Sequence, residues 1–279
     1  MEERAHAKVN LSLRVLRKRE DGFHEIETVM APITLCDLLH FAPAADFFFQ
    51  CSAPDVPSGE DNLVVRAARL FFAETKLEPK VAITLTKRIP HGAGLGGGSS
   101  DAAATLRGLN RFFDTQLSEE EMKVCAETLG SDVPFFLRQR AAICCGRGEL
   151  ITFWSLPKTI HLVLLKPAFG VPTPWAYSRW SATRERPQEE ANAFGITFLN
   201  DLEEPVFARF PFLQVLKDWL RAQEGVKVAQ MSGSGSTVFA VMEDGSFGQG
   251  LVARARAELD PELWTSASTT LGEVGRPNE

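Results

Sequence analysis

The sequence predicts a mixed α/β (α+β) architecture in two units. Three observations predict it. Strand-type and helix-type segments alternate along the whole chain instead of standing in separate blocks. The length of 279 residues suits one large domain or two smaller ones. A strongly apolar strand pattern, "IHLVLLKP", opens a fresh series of elements near residue 158, so the units are expected at 1–157 and 158–279.

The elements follow in order. Residues 8–15, "KVNLSLRV", alternate strictly, with Val9, Leu11, Leu13 and Val15 on one face and Lys8, Asn10, Ser12 and Arg14 on the other. "EDGFHEIET" follows as a turn, with Asp21-Gly22 as a hairpin signal. Residues 42–60 read as an irregular excursion around "FFF". A helix is expected after Asp61 or Asn62, with Leu63, Ala67 and Leu70 on one face. Val81 to Leu85 is a strand, and a glycine-rich loop follows it. Ala102, Leu106, Leu109 and Phe113 then share one face of a helix, capped by Ser99 or Ser100. Ser118 and Glu121 form a capping box for the next helix, and Gly130 stops it.

In the second unit, residues 178–195 are polar and read as a loop or an exposed helix. "FPFLQVLKDWLRAQ" is helical, with Phe212, Val215, Leu216 and Trp219 on one face. "AQMSGSGSTVFAVME" is a Gly-Ser turn entering an apolar strand, and "FGQGLVARARAEL" is a further helix.

Composition excludes several classes. The net charge of −6 argues against non-specific nucleic-acid or membrane binding. No apolar run reaches the eighteen or so residues of a membrane span. "MEERAHAKVNLSL" reads as neither a signal nor a transit peptide. The five cysteines lack paired metal spacing, and Cys144 and Cys145 sit in an apolar strand pattern. A reduced, cytoplasmic protein is expected.

The chemistry concentrates at "RIPHGAGLGGGSSDAAATLRGLN". A strand, a glycine loop and a helix in that order offer unpaired N–H groups and a helix dipole to a phosphate. Neither Gly-Lys-Ser nor Gly-Lys-Thr follows the glycines, so this is not the usual P-loop. In the dinucleotide fingerprint the third glycine would fall on Ser99, so that pattern fits poorly too. A third kind of nucleotide loop is implied.

Three motifs together resemble the GHMP kinases. "PHGAGLGGGSSDAAA" resembles their phosphate loop, "AHAKVNLSL" their first motif and "MSGSGSTVF" their third. "AKVNLSLRVLRKREDGFHEIETV", "DNLVVRAARL", "LGSDVPFFL" and "GVPTPWAYS" narrow the resemblance to the branch that phosphorylates a cytidine diphosphate conjugate of methylerythritol in the non-mevalonate isoprenoid route. The resemblance spans residues 5 to 242. It implies a two-domain GHMP kinase fold: an N-terminal domain with a left-handed βαβ unit, a C-terminal ferredoxin-like domain, and the site in the cleft. The cofactors it implies are ATP and Mg²⁺, with no metal ligand assigned.

The resemblance also implies residue roles. Asp132 in "SDVP" would be the catalytic base, and Lys8 would keep it ionised and offset charge on the moving phosphoryl. Read without the family, Asp132 is a turn or cap residue. Pro90, Gly92, Ala93, Gly94, Leu95, Gly96, Gly97, Gly98, Ser99 and Ser100 would hold the ATP phosphates. Gly233 and Gly235 would give close approach from a second glycine loop, and "DNLV" would lie near the adenine with Asn62 as a polar contact. Asp101 would face magnesium-bound water or turn away from the anion. Asn10 would hold the methylerythritol hydroxyls. Phe23, His24 and Tyr177 would hold the cytosine, with Thr173 and Pro174 shaping the same wall. His6 and Phe23 depart from the commoner proline and tyrosine.

The implied partner is one small-molecule substrate, with neither nucleic acid nor membrane, in a monomer or weak homodimer. Two rival readings stand beside it: a GHMP kinase for another small alcohol, and a catalytically inactive GHMP-fold sensor.

Overall fold

The computed structural model describes residues 1–54, 56–181, 190–246 and 248–272. They fall into two compact units. The first comprises Met1–Ala7, Leu35–His91 and Gly96–Gln139, and the second Lys8–Thr34, Gly92–Leu95 and the chain from Arg140 onward. Two long strands, β1 (Glu2–Lys18) and β2 (His24–Pro43), supply residues to both. The alternation in β1 has its expected outcome, since Val9, Leu11, Leu13 and Val15 are all fully buried. The Asp21-Gly22 signal is a real turn: Arg19 N donates to Phe23 O (2.8 Å) and Gly22 N to Arg19 O (3.2 Å).

In the first unit the end of β2 pairs antiparallel with β4 (Val81–Thr86). β3 (Phe48–Cys51) pairs parallel with β4, and α1 (Leu63–Thr75) lies between them in sequence, making a βαβ unit. The expected irregular excursion is therefore corrected at residues 48–51. Three consecutive phenylalanines hide the period of this edge strand, and the β4 ladder fixes it instead. α1 buries Val64, Val65, Ala67, Ala68 and Phe71, with Leu63 and Leu70 only partly covered. α2 (Gly97–Phe112) packs against α1.

The helix α2 starts earlier than expected. Its N-cap is Gly96 at φ +69°, with no side-chain cap bond, so neither Ser99 nor Ser100 caps it. The left-handed conformation open to glycine turns the chain into the helix before the serines are reached. Ala102, Leu106 and Leu109 are buried, and Phe113 is the C-cap. α3 (Glu119–Leu129) has the predicted Ser118–Glu121 capping box and ends at Gly130. A single 3-10 turn, Pro134–Leu137, follows.

In the second unit the start of β2 pairs with β5 (Ala142–Gly146), which pairs with β6 (Leu150–Phe153). Cys144 is fully buried on β5. β7 (His161–Lys166) and α4 (Thr173–Arg179) come next. Residues 182–189 of the predicted polar segment lie outside the described residues. Its end is corrected from loop or helix to strand: β8 (Ala191–Ala193) pairs with β9 (Ile196–Asn200), which runs parallel to β1.

α5 (Glu203–Arg209) was not expected, being too short to show a period. α6 (Pro211–Arg221) buries Leu213, Leu216, Lys217 and Leu220 rather than the predicted Phe212, Val215 and Trp219. The leucines have the same helical spacing as the aromatics, and the core takes the leucines.

β10 (Val226–Met231), β11 (Val238–Met242), α7 (Gly248–Glu258) and β12 (Trp264–Thr269) complete the chain. The sheet order β10-β11-β7-β12 is antiparallel throughout, with α6 and α7 in the connections. That is the ferredoxin-like arrangement expected of this half.

Candidate active site

In the second unit, several predicted residues meet at the carbonyl of Gly94. Lys8 Nζ donates to it at 3.0 Å and to Asn10 Oδ1 at 2.5 Å. Both side chains lie on the same face of β1, two residues apart, and both are buried. Asn10 Nδ2 donates to Thr28 Oγ1 on the neighbouring strand β2 at 2.8 Å, so its amide is held at both ends.

The third motif closes on the same point. Ser232 Oγ donates to Gly94 O at 3.0 Å, and Thr237 N donates to Ala93 O at 3.2 Å. Gly94 has φ +73°, and a Cβ there would overlap the Ser232 carbonyl and stand 2.8 Å from the Gly235 oxygen. A Cβ on Gly233 would come to 3.1 Å from Asn10 Oδ1 and 3.4 Å from Lys8 Nζ. These two glycines are required by close approach. Lys8 N bonds Leu95 O at 3.0 Å, and Ala93 and Leu95 bury their side chains, so this part of the loop is anchored.

In the first unit, Gly96 to Ser100 form the cap and first turn of α2. Ser100 N already bonds Gly96 O at 2.9 Å. The preceding amides of Gly97, Gly98 and Ser99 are the ones that helix geometry leaves without an internal acceptor. They stand at the positive end of a helix long enough to have a dipole.

Asp101 turns inward. Its Oδ2 accepts from Lys87 Nζ at 2.7 Å, and Lys87 also pairs with Asp37. Asp37 Oδ1 in turn accepts from Ile89 N at 2.8 Å, tying β2 to the chain that leads into Pro90. Burial pushes the Asp101 carboxyl well above the usual carboxylate range, with Lys87 pulling the other way. Burial pulls Lys87 down, but Asp101 and Asp37 outweigh it and leave the ammonium raised.

Asn62 caps α1, accepting from Val64 N at 2.8 Å and donating to Pro57 O at 2.6 Å. Its side chain is thus engaged in structure. Asp132 lies half-buried in the turn between Gly130 and Pro134. No hydrogen bond among the described residues of its unit engages its carboxylate.

The predicted base-binding residues gather in the second unit. The rings of His24 and Tyr177 lie 5.4 Å apart at 33°. Trp180, one helical turn beyond Tyr177, meets His24 edge-on at 5.8 Å. Phe23 is half exposed beneath the Arg147 guanidinium, 4.8 Å from the ring centre. Burial holds the His24 imidazole below its ordinary value, and Lys18 adds to the effect. Thr173 Oγ1 lies 2.8 Å from Ser234 Oγ, tying α4 to the third motif. Trp180 and Arg147 escaped the sequence reading. The three-residue spacing in "YSRW" was the available signal for Trp180.

A 4-diphosphocytidyl-2-C-methyl-D-erythritol kinase of Methylacidiphilum infernorum (isolate V4) is 41% identical over 278 residues, covering 93% of each chain. The chain belongs to the 4-diphosphocytidyl-2-C-methyl-D-erythritol kinase family. A relative of the same name from Chlorobium phaeovibrioides (strain DSM 265 / 1930) is 39% identical, over 92% of this chain and 93% of its own. A crystal structure of a 4-(cytidine 5'-diphospho)-2C-methyl-D-erythritol kinase matches with a TM-score of 0.81 and 37% identity, covering 98% of this chain and all of that one. The GHMP kinases N terminal domain matches residues 62–140 and the GHMP kinases C terminal domain residues 183–260. Both halves of the GHMP kinase fold are therefore present in this family member.

No helix of the described residues is long and apolar enough to cross a membrane. Among the described residues there is no group of three or more His, Cys, Asp or Glu side chains that could hold a metal ion.

Proposed function

We propose that this protein transfers the γ-phosphoryl group of ATP to the 2-hydroxyl of 4-diphosphocytidyl-2-C-methyl-D-erythritol, in the non-mevalonate route to isoprenoid precursors. The observation that carries the reading is the junction at Gly94. There the glycine loop, the Lys8 ammonium and the third glycine turn meet, in a chain whose full-length relatives bear that kinase's name.

In this reading Asp132 takes the proton of the 2-hydroxyl, a contribution of roughly 10²–10⁴ in rate. The freed oxygen attacks the γ-phosphorus, the bond to the β–γ bridging oxygen breaks, and ADP leaves. Lys8 offsets the charge on the transferring group. The Gly97, Gly98 and Ser99 amides, with the loop from Pro90 to Gly96, hold the phosphates. Gly233 and Gly235 let the backbone come close. Asn10 orients the methylerythritol hydroxyls. His24 and Tyr177 hold the cytosine with Phe23, and Thr173 and Pro174 form the wall. Asn62 shapes the adenine end through the helix it caps.

Mg²⁺ usually keeps most of its waters and binds through substrate phosphates plus one or two protein oxygens. The half-buried Ser99 hydroxyl fits such a role better than Ser100, which is buried. When bound, the metal neutralises phosphate charge. A cytoplasmic setting and a monomer or weak homodimer complete the proposal.

The test is ADP production by purified protein with ATP and Mg²⁺. The panel compares 4-diphosphocytidyl-2-C-methylerythritol with homoserine, mevalonate and free methylerythritol 4-phosphate, with Asp132→Asn alongside. Turnover with the cytidyl conjugate alone, lost in the variant while both ligands still bind, is expected. Tight binding of both ligands with no turnover in the parent protein would overturn the kinase reading in favour of a sensor.

A further inference from the structure

We infer that Asn200, backed by Glu203 and Lys217, is a positioning residue for phosphoryl transfer. It grips the third glycine turn on both sides of Ser232 and thereby fixes the carbonyl to which Lys8 is bound. The inference rests on the kinase reading above and adds residues that none of the three motifs contains.

Asn200 is the last residue of β9 and is paired across to Leu13 on β1, the strand that holds Lys8 and Asn10. It is 2% exposed. Its Oδ1 accepts from Leu202 N at 2.9 Å, which fixes the orientation of the amide. Its Nδ2 then spends both hydrogens on the turn, donating to Met231 O and Gly233 O at 2.8 Å each. The residue caught between these two carbonyls is Ser232. Ser232 Oγ donates to Gly94 O and accepts from Asn10 N at 3.3 Å. One side-chain amide is therefore coupled through a single residue to the oxygen that holds the Lys8 ammonium.

Glu203 supplies the second grip. Its Oε1 accepts from Met231 N at 2.7 Å and its Oε2 from Lys217 Nζ at 2.7 Å. Both side chains are nearly buried. Stability alone does not explain such a pair, because buried ion pairs are often matched or bettered by apolar residues of similar volume. What an apolar residue cannot provide is an acceptor for the Met231 amide at the entrance to the turn. The pair sets the position of that backbone, at some cost to the fold. A misplacement of about 1 Å near reacting groups can cost about 10²-fold in rate, so a grip on the turn is a grip on the rate.

The test separates positioning from stability. Glu203→Leu/Lys217→Met removes the acceptor and fills the space. It is expected to melt within a few degrees of the parent while kcat per nucleotide-binding site falls at least about tenfold. Glu203→Gln/Lys217→Met restores an acceptor for Met231 N and is expected to recover kcat to within about threefold of the parent. Asn200→Ala is expected to lose about 10²-fold in kcat, with both KM values moving less than about threefold. Hydrogen exchange at the Ser232–Thr237 amides should quicken in it. Should Asn200→Ala fail to fold, the apolar double variant decides alone. A folded apolar variant with kcat within twofold of the parent would overturn the inference, as would unchanged exchange of the turn in folded Asn200→Ala. No turnover in the parent protein sinks the kinase reading instead, and the exchange measurement then tests the Asn200 grip independently.

Discussion

Lys8 and Ser232 donate to the same oxygen. The ammonium and the hydroxyl each lie 3.0 Å from the Gly94 carbonyl. A carbonyl with two donors has both lone pairs engaged, so the peptide of the glycine loop is fixed in orientation. A cation that also bonds Asn10 Oδ1 is likewise fixed. The loop and the lysine thus hold each other in place before any nucleotide arrives.

If Lys8 has the role proposed, neither a neutral nor a bulkier side chain should replace it. Lys8→Met is expected to lower kcat by about 10²–10³, the scale of removing one charge-stabilising donor. Lys8→Arg should not restore it, because a planar fork cannot replace a point charge in a buried pocket. Steady-state ADP release checks both, and near-parental turnover by either variant would refute the assignment.

The His24–Tyr177 ring pair predicts where substrate affinity resides. Loss of a stacking partner costs about 1–3 kcal/mol per base, or roughly ten- to hundredfold in affinity. Tyr177→Ala should therefore weaken calorimetric binding of the cytidyl conjugate by that factor and leave ATP binding unchanged. Equal weakening of both ligands would instead indicate general disruption of α4.

The His24 imidazole is held below its ordinary value, chiefly by burial. The fold therefore prefers the neutral ring. The stability this gives is present above the unfolded imidazole pKa and is lost as pH falls towards the folded value. Protonation also turns a ring acceptor into a second donor. KM for the cytidyl conjugate should rise as pH drops below about 6.5, while KM for ATP stays level. A pH series on His24→Gln should be flat, and a persistent rise there would assign the effect to another group.

Asp101 behaves in the opposite sense. Its carboxyl is raised by burial, and its Oδ1 has no partner among the described residues. A raised carboxyl contributes its stability at pH values below its unfolded pKa, and that contribution is lost as pH rises through the folded value. The melting midpoint of Asp101→Asn relative to the parent should therefore be higher at pH 8 than at pH 5. Lys87→Met, which leaves two buried acids without their cation, should lose about 3–5 kcal/mol at neutral pH. Thermal melts at the two pH values decide. An Asp101→Asn midpoint below the parent's at pH 8 would show that the ion pair outweighs the burial penalty.

Much of this was legible in the sequence because it depends on local pattern. The strict alternation of β1 places Lys8 and Asn10 on one face, and the glycine runs mark the two loops that meet at Gly94. Ser118 and Glu121 announce their helix by chemistry that needs no tertiary context. What stayed hidden depends on distant partners. Phe48–Cys51 becomes a strand only because β4 offers it an edge. Lys87 finds Asp37 through the β2–β4 pairing. Asn200 looks like one more polar residue until β9 is laid beside β1. The buried face of α6 is ambiguous in the sequence because Phe212 and Trp219 share helical spacing with Leu213 and Leu220, and hydropathy does not choose between them. The early start of α2 rests on the backbone conformation of Gly96, which composition leaves open.

The bonds from Ser232 to Gly94 and from Asn10 to Ser232 join residues 138 and 222 positions apart. During synthesis the glycine loop emerges long before the turn that fixes it. Contacts of such separation are slow to form, since the closure entropy of the intervening chain comes first. A nascent chain that has reached Gly130 contains α2 and the glycine loop but neither the Ser232 hydroxyl nor the Asn200 grip. Nucleotide affinity should therefore arise late in biosynthesis, once the ribosome has released the chain past Thr237, so that an incomplete chain does not sequester ATP.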